Sequence, residues 1–313
     1  MEVRRLEVVA PDGIGEVAPG TDLAALAAPH VVDGDVLVVT SKVVSKTEDR
    51  VVVADRDRAI RDETVRVVAR RGPTSIVETR LGVVMAAAGV DASNVAPGSV
   101  VLLPLDPDAS ARTLRERLAA STGVNVAVIV SDTAGRAWRH GQTDLALGAA
   151  GLLPLESFEG AVDGYGNPLS VTAPAVADEI AGIAEVATGK LGGRPLTVVR
   201  GLADRVLPPG EHGPGARVLV RETGSDMFGL GSREAVVAAL ARRDQHAFGA
   251  AAAPGDLIDA FAACGLTATY DGGALRVGTG QDDLRVAVLA FAHGWTPVDG
   301  ESGDTVTTLS PLS

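Results

Sequence analysis

The chain has one cysteine, Cys264, in 313 residues. That excludes an internal disulfide and any cysteine cluster for zinc or iron–sulfur. Set in an Ala-rich helical stretch, Cys264 is expected to be a small core residue. Aromatics are also scarce, 3% against a hydrophobic content of 46%, so the core must be built from Val, Ala and Leu. Positive charge is in deficit: 28 Lys and Arg stand against 40 Asp and Glu, for a net charge of -12. This removes the basic footprint that sequence-independent binding to nucleic acid or an anionic membrane requires. Small anionic ligands are still admitted, because screening over about 8 Å leaves their binding to nearby lysines, arginines or a metal. No apolar run approaches the roughly 18 residues of a membrane span. The run that follows Met1 stops at Pro11, too soon for the apolar segment of a signal peptide. A soluble, cytoplasmic protein is expected. The five histidines, His30, His140, His212, His246 and His293, are scattered with no i, i+4 pair, which argues against a histidine-built metal site. No serine occupies a Gly-x-Ser-x-Gly elbow.

What the chain does have is Val-rich runs alternating with Ala-rich ones, the pattern of a mixed α/β fold. Its length suits one large domain with an appendage, or two domains. A shift to Gly, Ala and Pro at residues 248–254 reads as a linker, giving a main domain over 1–248 and a small α+β appendage over 249–313. Residues 6–9 read as a strand ending in the turn Pro11-Asp12-Gly13-Ile14-Gly15. Gly13-x-Gly15-x-x-Ala18 imitates a dinucleotide fingerprint, but Pro19-Gly20 ends the helix that fingerprint must open. A glycine-rich loop whose backbone could approach a phosphate stays open as a reading. Residues 36–40 are a buried strand by their continuous apolar run. Lys42 and Lys46 follow, four apart and so on one face; they either bind phosphate with the hydroxyls beside them or are solvated. Residues 64–71 read as a short helix or strand. Ser110 is placed as the cap of a helix over 111–120, with Arg112, Arg115 and Arg117 facing solvent. A helix over 174–187 has Asp178 and Glu179 about 100° apart, so that at most one faces inward easily and the other is solvated. The loop at residues 189–193 lacks P-loop spacing.

Three polar clusters interrupt apolar sequence between residues 81 and 144. They are Gly89-Val90-Asp91-Ala92-Ser93-Asn94, Leu103-Pro104-Leu105-Asp106-Pro107-Asp108, and Ser131-Asp132-Thr133-Ala134-Gly135-Arg136-Ala137-Trp138-Arg139. The last stands at the carboxyl end of the best strand, residues 124–130, where ligands gather in open α/β sheets. Asp132 is there either a ligand or a helix N-cap. Asp91, Asp132 and the Thr133 hydroxyl are hard oxygen donors of the kind Mg2+ or Mn2+ takes, with phosphate oxygens and water completing the shell. The residues alone point to metal-assisted chemistry on a phosphorylated substrate.

Taken together, Gly34-Asp35-Val36-Leu37-Val38-Val39-x-Ser41-Lys42-x-x-Ser45-Lys46, Ala88-Gly89-Val90-Asp91-x-Ser93-Asn94, Leu103-Pro104-x-Asp106-Pro107-Asp108-x-Ser110-Ala111, Ser131-Asp132-Thr133-x-Gly135-Arg136-x-Trp138-Arg139 and Val199-Arg200-Gly201 resemble the coenzyme F420-0:L-glutamate ligase family. The likeness runs in order over residues 5–245. It implies a family-specific mixed fold that is neither P-loop nor Rossmann. It also implies a GTP-dependent ligase that adds L-glutamate to F420-0, with further γ-linked glutamates in some members. GTP phosphorylates the substrate carboxylate, the glutamate amine displaces phosphate from that acyl phosphate, and GDP is left.

By position, the resemblance assigns metal to Asp91, Asp132 and Thr133, and nucleotide to Asp12, Gly13, Ile14, Gly15, Ser41, Lys42, Lys46, Asn94, Gly189, Lys190, Gly192 and Gly193. Arg136, Trp138 and Arg139 become substrate-side candidates, with Asp106 and Asp108 as structural support. The expected cofactors are GTP and Mg2+ or Mn2+, with K+ as a further candidate ion, and the expected assembly is a homodimer. Two departures stand out. Lys190 occupies a place where some members carry an acidic metal contact, which puts a second ion in doubt. The 249–313 appendage has only 65 residues, without a flavin motif, so the flavin-binding domain of related actinobacterial ligases is not expected.

Overall fold

A computed structural model describes residues 4–279, 282–298 and 306–312; Met1–Val3, where the reading of the N-terminus begins, lie outside them. The chain divides into two compact units, residues 1–66 with 77–220, and residues 67–76 with 221–313. The second unit takes in residues 221–248 and a short piece near residue 70, which lie within the 1–248 segment expected for the ligase domain.

The first unit is built on a five-stranded mixed sheet, in the order Glu7–Val9, Leu196–Arg200, Val36–Thr40, Ala127–Gly135, Gln142–Ala150. Only the central pair, Val36–Thr40 with Ala127–Gly135, is parallel. The continuous apolar runs mark burial on both faces. Alternate residues feed opposite cores: Leu37, Val39, Val128 and Val130 pack with the Leu23–Ala27, Ser41–Thr47 and Pro107–Thr122 helices. Val36, Val38, Ala127 and Ile129 pack with the Val176–Thr188 helix through Val176, Ile180 and Ala184. The expected mixed α/β fold is therefore a sheet covered by helices on both faces.

Scarce aromatics have a geometric counterpart. The Gln142–Ala150 strand ends in small residues, and a Cβ on Gly148 would collide with the carbonyl group of Pro107. The first turn of the Pro107–Thr122 helix thus rests almost directly on strand backbone. Asp108, in that turn, accepts from the backbone N–H groups of Ala149 at 2.8 Å and Ala216 at 2.7 Å.

Several expectations are corrected. The helix placed over 111–120 starts earlier, because Asp106 caps it through Ala109 N–H and Pro107 fits its first turn. Ser110 lies inside the helix and bonds Glu48 and the Asp106 carbonyl. Arg115 does not face solvent. It is 3% exposed and donates to the carbonyls of Val126, Leu207, Pro208 and Glu211 and to the Asn125 side chain; a guanidinium can be buried when its donors are so matched. Residues 64–71 are strand. The strand read as ending before Ser131 continues to Gly135 beyond a bulge at Val130/Ser131, so Asp132 caps no helix.

The second unit contains a four-stranded antiparallel sheet, ordered Ala268–Asp271, Ala274–Val277, Thr307–Pro311, Trp295–Pro297. It has its own core of Leu257, Phe261, Leu275, Val286, Trp295 and Leu309. Cys264 is exposed just past the Pro254–Ala263 helix, not in the core. Among the described residues no helix is long and apolar enough to cross a membrane.

Candidate active site

The parallel register pairs Thr40 with Ser131, so the residues one step further, Ser41 and Asp132, emerge side by side where the doubly buried sheet ends. The Ser41 hydroxyl and the Thr133 backbone N–H lie beside the Asp132 carboxyl and favour its charged form. Burial is the main force on this carboxyl. Together with the negative charges of Asp144 and Asp91, and despite those two neighbours, it pushes the pKa from an ordinary 3.8 up to about 6.

Across the antiparallel pairing, Thr133 stands opposite Asp144. Asp144 is buried and takes both neighbouring hydroxyls, Thr133 Oγ1 at 2.7 Å and Ser131 Oγ at 2.9 Å. Lys190 Nζ donates to Thr133 Oγ1 at 2.7 Å and pairs with Glu185 at 2.8 Å. Asp91 is held by backbone bonds to Val101. Its carboxylate meets Lys42 Nζ at 2.6 Å and the backbone and hydroxyl of Ser93 at 2.8 Å. Burial alone would raise its pKa, but these partners outweigh it and hold the pKa below the usual carboxylate range.

The two glycine loops are tied to one another. Arg194, directly after the 189–193 loop, pairs with Asp12 at 2.6 Å. A Cβ at Gly13, Gly15, Gly189 or Gly193 would meet nothing within 4 Å, so these loops border open space. Ile14, the apolar member of the first loop, packs against the core. The buried Lys46 pairs with Glu16 at 2.5 Å. Direct bonds therefore join Lys42 to Asp91, Lys190 to Thr133, and Asp12 to Arg194 just after the 189–193 loop. Gly192 lies in that loop, where a Cβ would meet the Arg194 guanidinium.

Arg136, Trp138 and Arg139 are exposed on the turn between the Ala127–Gly135 and Gln142–Ala150 strands. Asn94 is exposed with a left-handed backbone, φ 56°. No bond from Arg136, Arg139 or Asn94 to the acidic residues is seen among the described residues. Asp106 and Asp108 act as cap and brace for the helix. Sequence reasoning missed Asp144, Glu16, Glu185 and Arg194, each a partner of a residue it did select. Asp144 left one signal, a lone acid at the head of the apolar run Leu145-Ala146-Leu147.

Among the described residues no three His, Cys, Asp or Glu side chains form a ready-made metal cage. Mg2+ commonly binds through one or two carboxylates with substrate phosphates and water, and Asp91 and Asp132 can supply that number.

A sequence profile of the F420-0:Gamma-glutamyl ligase family matches residues 54–201. The coenzyme F420:L-glutamate ligase of Archaeoglobus fulgidus is 40% identical over 221 residues, 63% of this chain and 88% of the relative. That of Methanopyrus kandleri is 39% identical over 236 residues, 68% of this chain and 93% of the relative. The chain belongs to the F420-0:gamma-glutamyl ligase family. A third ligase of that name, from Methanothermobacter thermautotrophicus, is 34% identical over 224 residues, 63% of this chain and 89% of the relative. The family profile spans both Asp91 and Asp132 and the Lys190 loop.

Proposed function

We propose that this ligase joins L-glutamate to the terminal carboxylate of coenzyme F420-0, using GTP as phosphoryl donor and one Mg2+ or Mn2+ ion. The observation that carries the reading is the Asp132 carboxyl, raised to about 6 by burial and by Asp144 and Asp91. A partly buried acid among acids is stabilised by an incoming cation. Asp132, Asp91 and the Thr133 hydroxyl would hold the ion, which supplies charge neutralisation at the transferring phosphoryl group. Lys42, Lys46 and Lys190 provide ammonium groups for phosphate, and the glycine loops provide backbone N–H groups without side chains in the way. The F420-0 carboxylate oxygen attacks the γ-phosphorus and GDP leaves. The glutamate amine then attacks the acyl carbon, forming the amide as phosphate departs and the amine loses its proton. We assign exposed Arg136, Trp138 and Arg139 to the substrate side. The K+ ion and homodimer implied by family likeness belong to the same reading.

The deciding experiment incubates the full chain with F420-0, L-glutamate, GTP and Mg2+ and follows GDP release and product mass. A gain of one glutamyl residue, coupled to GDP, is expected. GDP release without a mass gain points to another phosphotransferase, and neither event to a silent GTP-binding protein; both results overturn the proposal.

A further inference from the structure

We infer that Asp144 is a positioning residue that fixes the Thr133 hydroxyl as an acceptor facing the cation. The inference rests on the reading of Asp132 and Thr133 as cation-facing groups. Thr133 Oγ1 has one proton and two lone pairs. The Lys190 ammonium can only donate, so Oγ1 accepts from it at 2.7 Å and must send its own proton elsewhere. That proton goes to Asp144 Oδ1, 2.7 Å away. The second carboxylate oxygen takes the Ser131 proton at 2.9 Å, so both hydroxyls point their protons at Asp144.

The backbone builds this arrangement. Thr133 and Asp144 are directly opposed across the strand pair. Ser131, paired with Ala146 just after the bulge, reaches the same carboxylate diagonally. Asp144 is 6% exposed, so water does not replace it easily. A hydroxyl held this way offers a lone pair to any cation beside it, the Lys190 ammonium or a divalent ion. A hydroxyl turned the other way would present its proton and repel that cation. An asparagine at position 144 has one acceptor and one donor end, so one of the two hydroxyls would have to turn outward.

The test is Mn2+ binding to the full chain in the presence of GDP, read by electron paramagnetic resonance without turnover. Asp144→Asn is expected to weaken Mn2+ binding by about 10–100-fold, the usual cost of losing a partner that orients a metal ligand. Thr133→Val should weaken it similarly, and the double variant should be no worse than the weaker single variant, because both changes remove the same oriented oxygen. Ser131→Ala breaks the other bond to Asp144 and should leave affinity within about threefold. An affinity within about twofold of wild type for Asp144→Ala, where neither hydroxyl keeps its acceptor, losses that multiply in the double variant, or a Ser131→Ala defect equal to that of Asp144→Asn would each overturn the inference while leaving the metal site in place. Absence of Mn2+ binding in the wild-type chain overturns the metal reading and this inference with it. Thermal unfolding checks that the variants fold. Should Asp144→Asn not fold, Thr133→Ser against Thr133→Val asks the same question, since serine keeps a hydroxyl for Asp144 to orient; equal loss in both refutes the role.

Discussion

Asp132→Asn should inactivate the enzyme and stabilise it. Burial, Asp144 and Asp91 raise the Asp132 pKa from 3.8 to about 6, so the folded chain binds this proton more tightly than the unfolded chain. As pH rises from about 4 to about 6, the unfolded state gives up the proton first and the fold loses stability. Above about pH 6 the cost is complete, about 3 kcal/mol at about 1.4 kcal/mol per pK unit. Coupling to the two neighbouring acids makes about 1–3 kcal/mol the working range. Asparagine keeps an oxygen for the Thr133 N–H and the Ser41 hydroxyl but carries no charge. Near pH 8 the metal-free variant should therefore melt several degrees above wild type, at about 2–4 °C per kcal/mol for a unit of this size. Near pH 4 the two melting curves should converge. Turnover should fall by about a hundredfold or more, and Mg2+ with GDP should raise the melting temperature of wild type only. An asparagine variant no more stable than wild type near pH 8, or equally advantaged near pH 4, refutes the electrostatic argument. Near-normal activity would remove Asp132 from the metal site.

Three further outcomes follow from the same geometry. Lys42→Met leaves Asp91 without the ammonium that offsets its burial; the acid limb of kcat/KM against pH should move upward, with KM for GTP raised about tenfold or more. Arg115→Met strands the carbonyls of Val126, Leu207, Pro208 and Glu211 and should cost about 3 kcal/mol or more in a urea titration. Gly148→Ala drives a Cβ into the carbonyl group of Pro107 and should cost about 1–3 kcal/mol, read as a lowered melting temperature.

The parts of the fold legible in the sequence are those that bury both faces. Residues 36–40 were read as a strand with the bounds the structure gives them, because every side chain there except that of Thr40 is buried. The Gln142–Ala150 strand was not read, since its Ala- and Gly-rich end carries none of the β-branched signal. With it went Asp144, whose role depends on a cross-strand partner eleven residues earlier. Arg115 was misplaced for a related reason. Periodicity puts it on the face of Leu114 and Leu118, and only the carbonyls of residues 207–211, distant in sequence, make burial of a charge affordable there. Asp91 and Asp132 were found because each is an acid breaking an apolar run. Glu16, Glu185 and Arg194, the partners of Lys46, Lys190 and Asp12, lie in ordinary polar sequence that only the folded chain brings to those residues.

The position of the site follows from the sheet. On the central parallel pair, both faces are covered by helices, so a polar side chain along Val36–Val39 or Ala127–Val130 would lose water without gaining a partner. Chemistry can begin only where the covering ends, and parallel register makes the two strands end together, at Thr40 and Ser131. One step on, the first strand turns into the Ser41–Thr47 helix, bringing Lys42 to Asp91. The second passes through a bulge and continues as an antiparallel arm, carrying Asp132 and Thr133 to Asp144. A purely parallel sheet would send both strands into helices there and offer no opposing strand. The antiparallel partner supplies a buried carboxylate fixed by backbone register, and that places a third acid beside Asp91 and Asp132 without forming a preassembled three-carboxylate cage. In the proposed reading, Asp144 orients hydroxyls while Asp91 and Asp132 face the ligand.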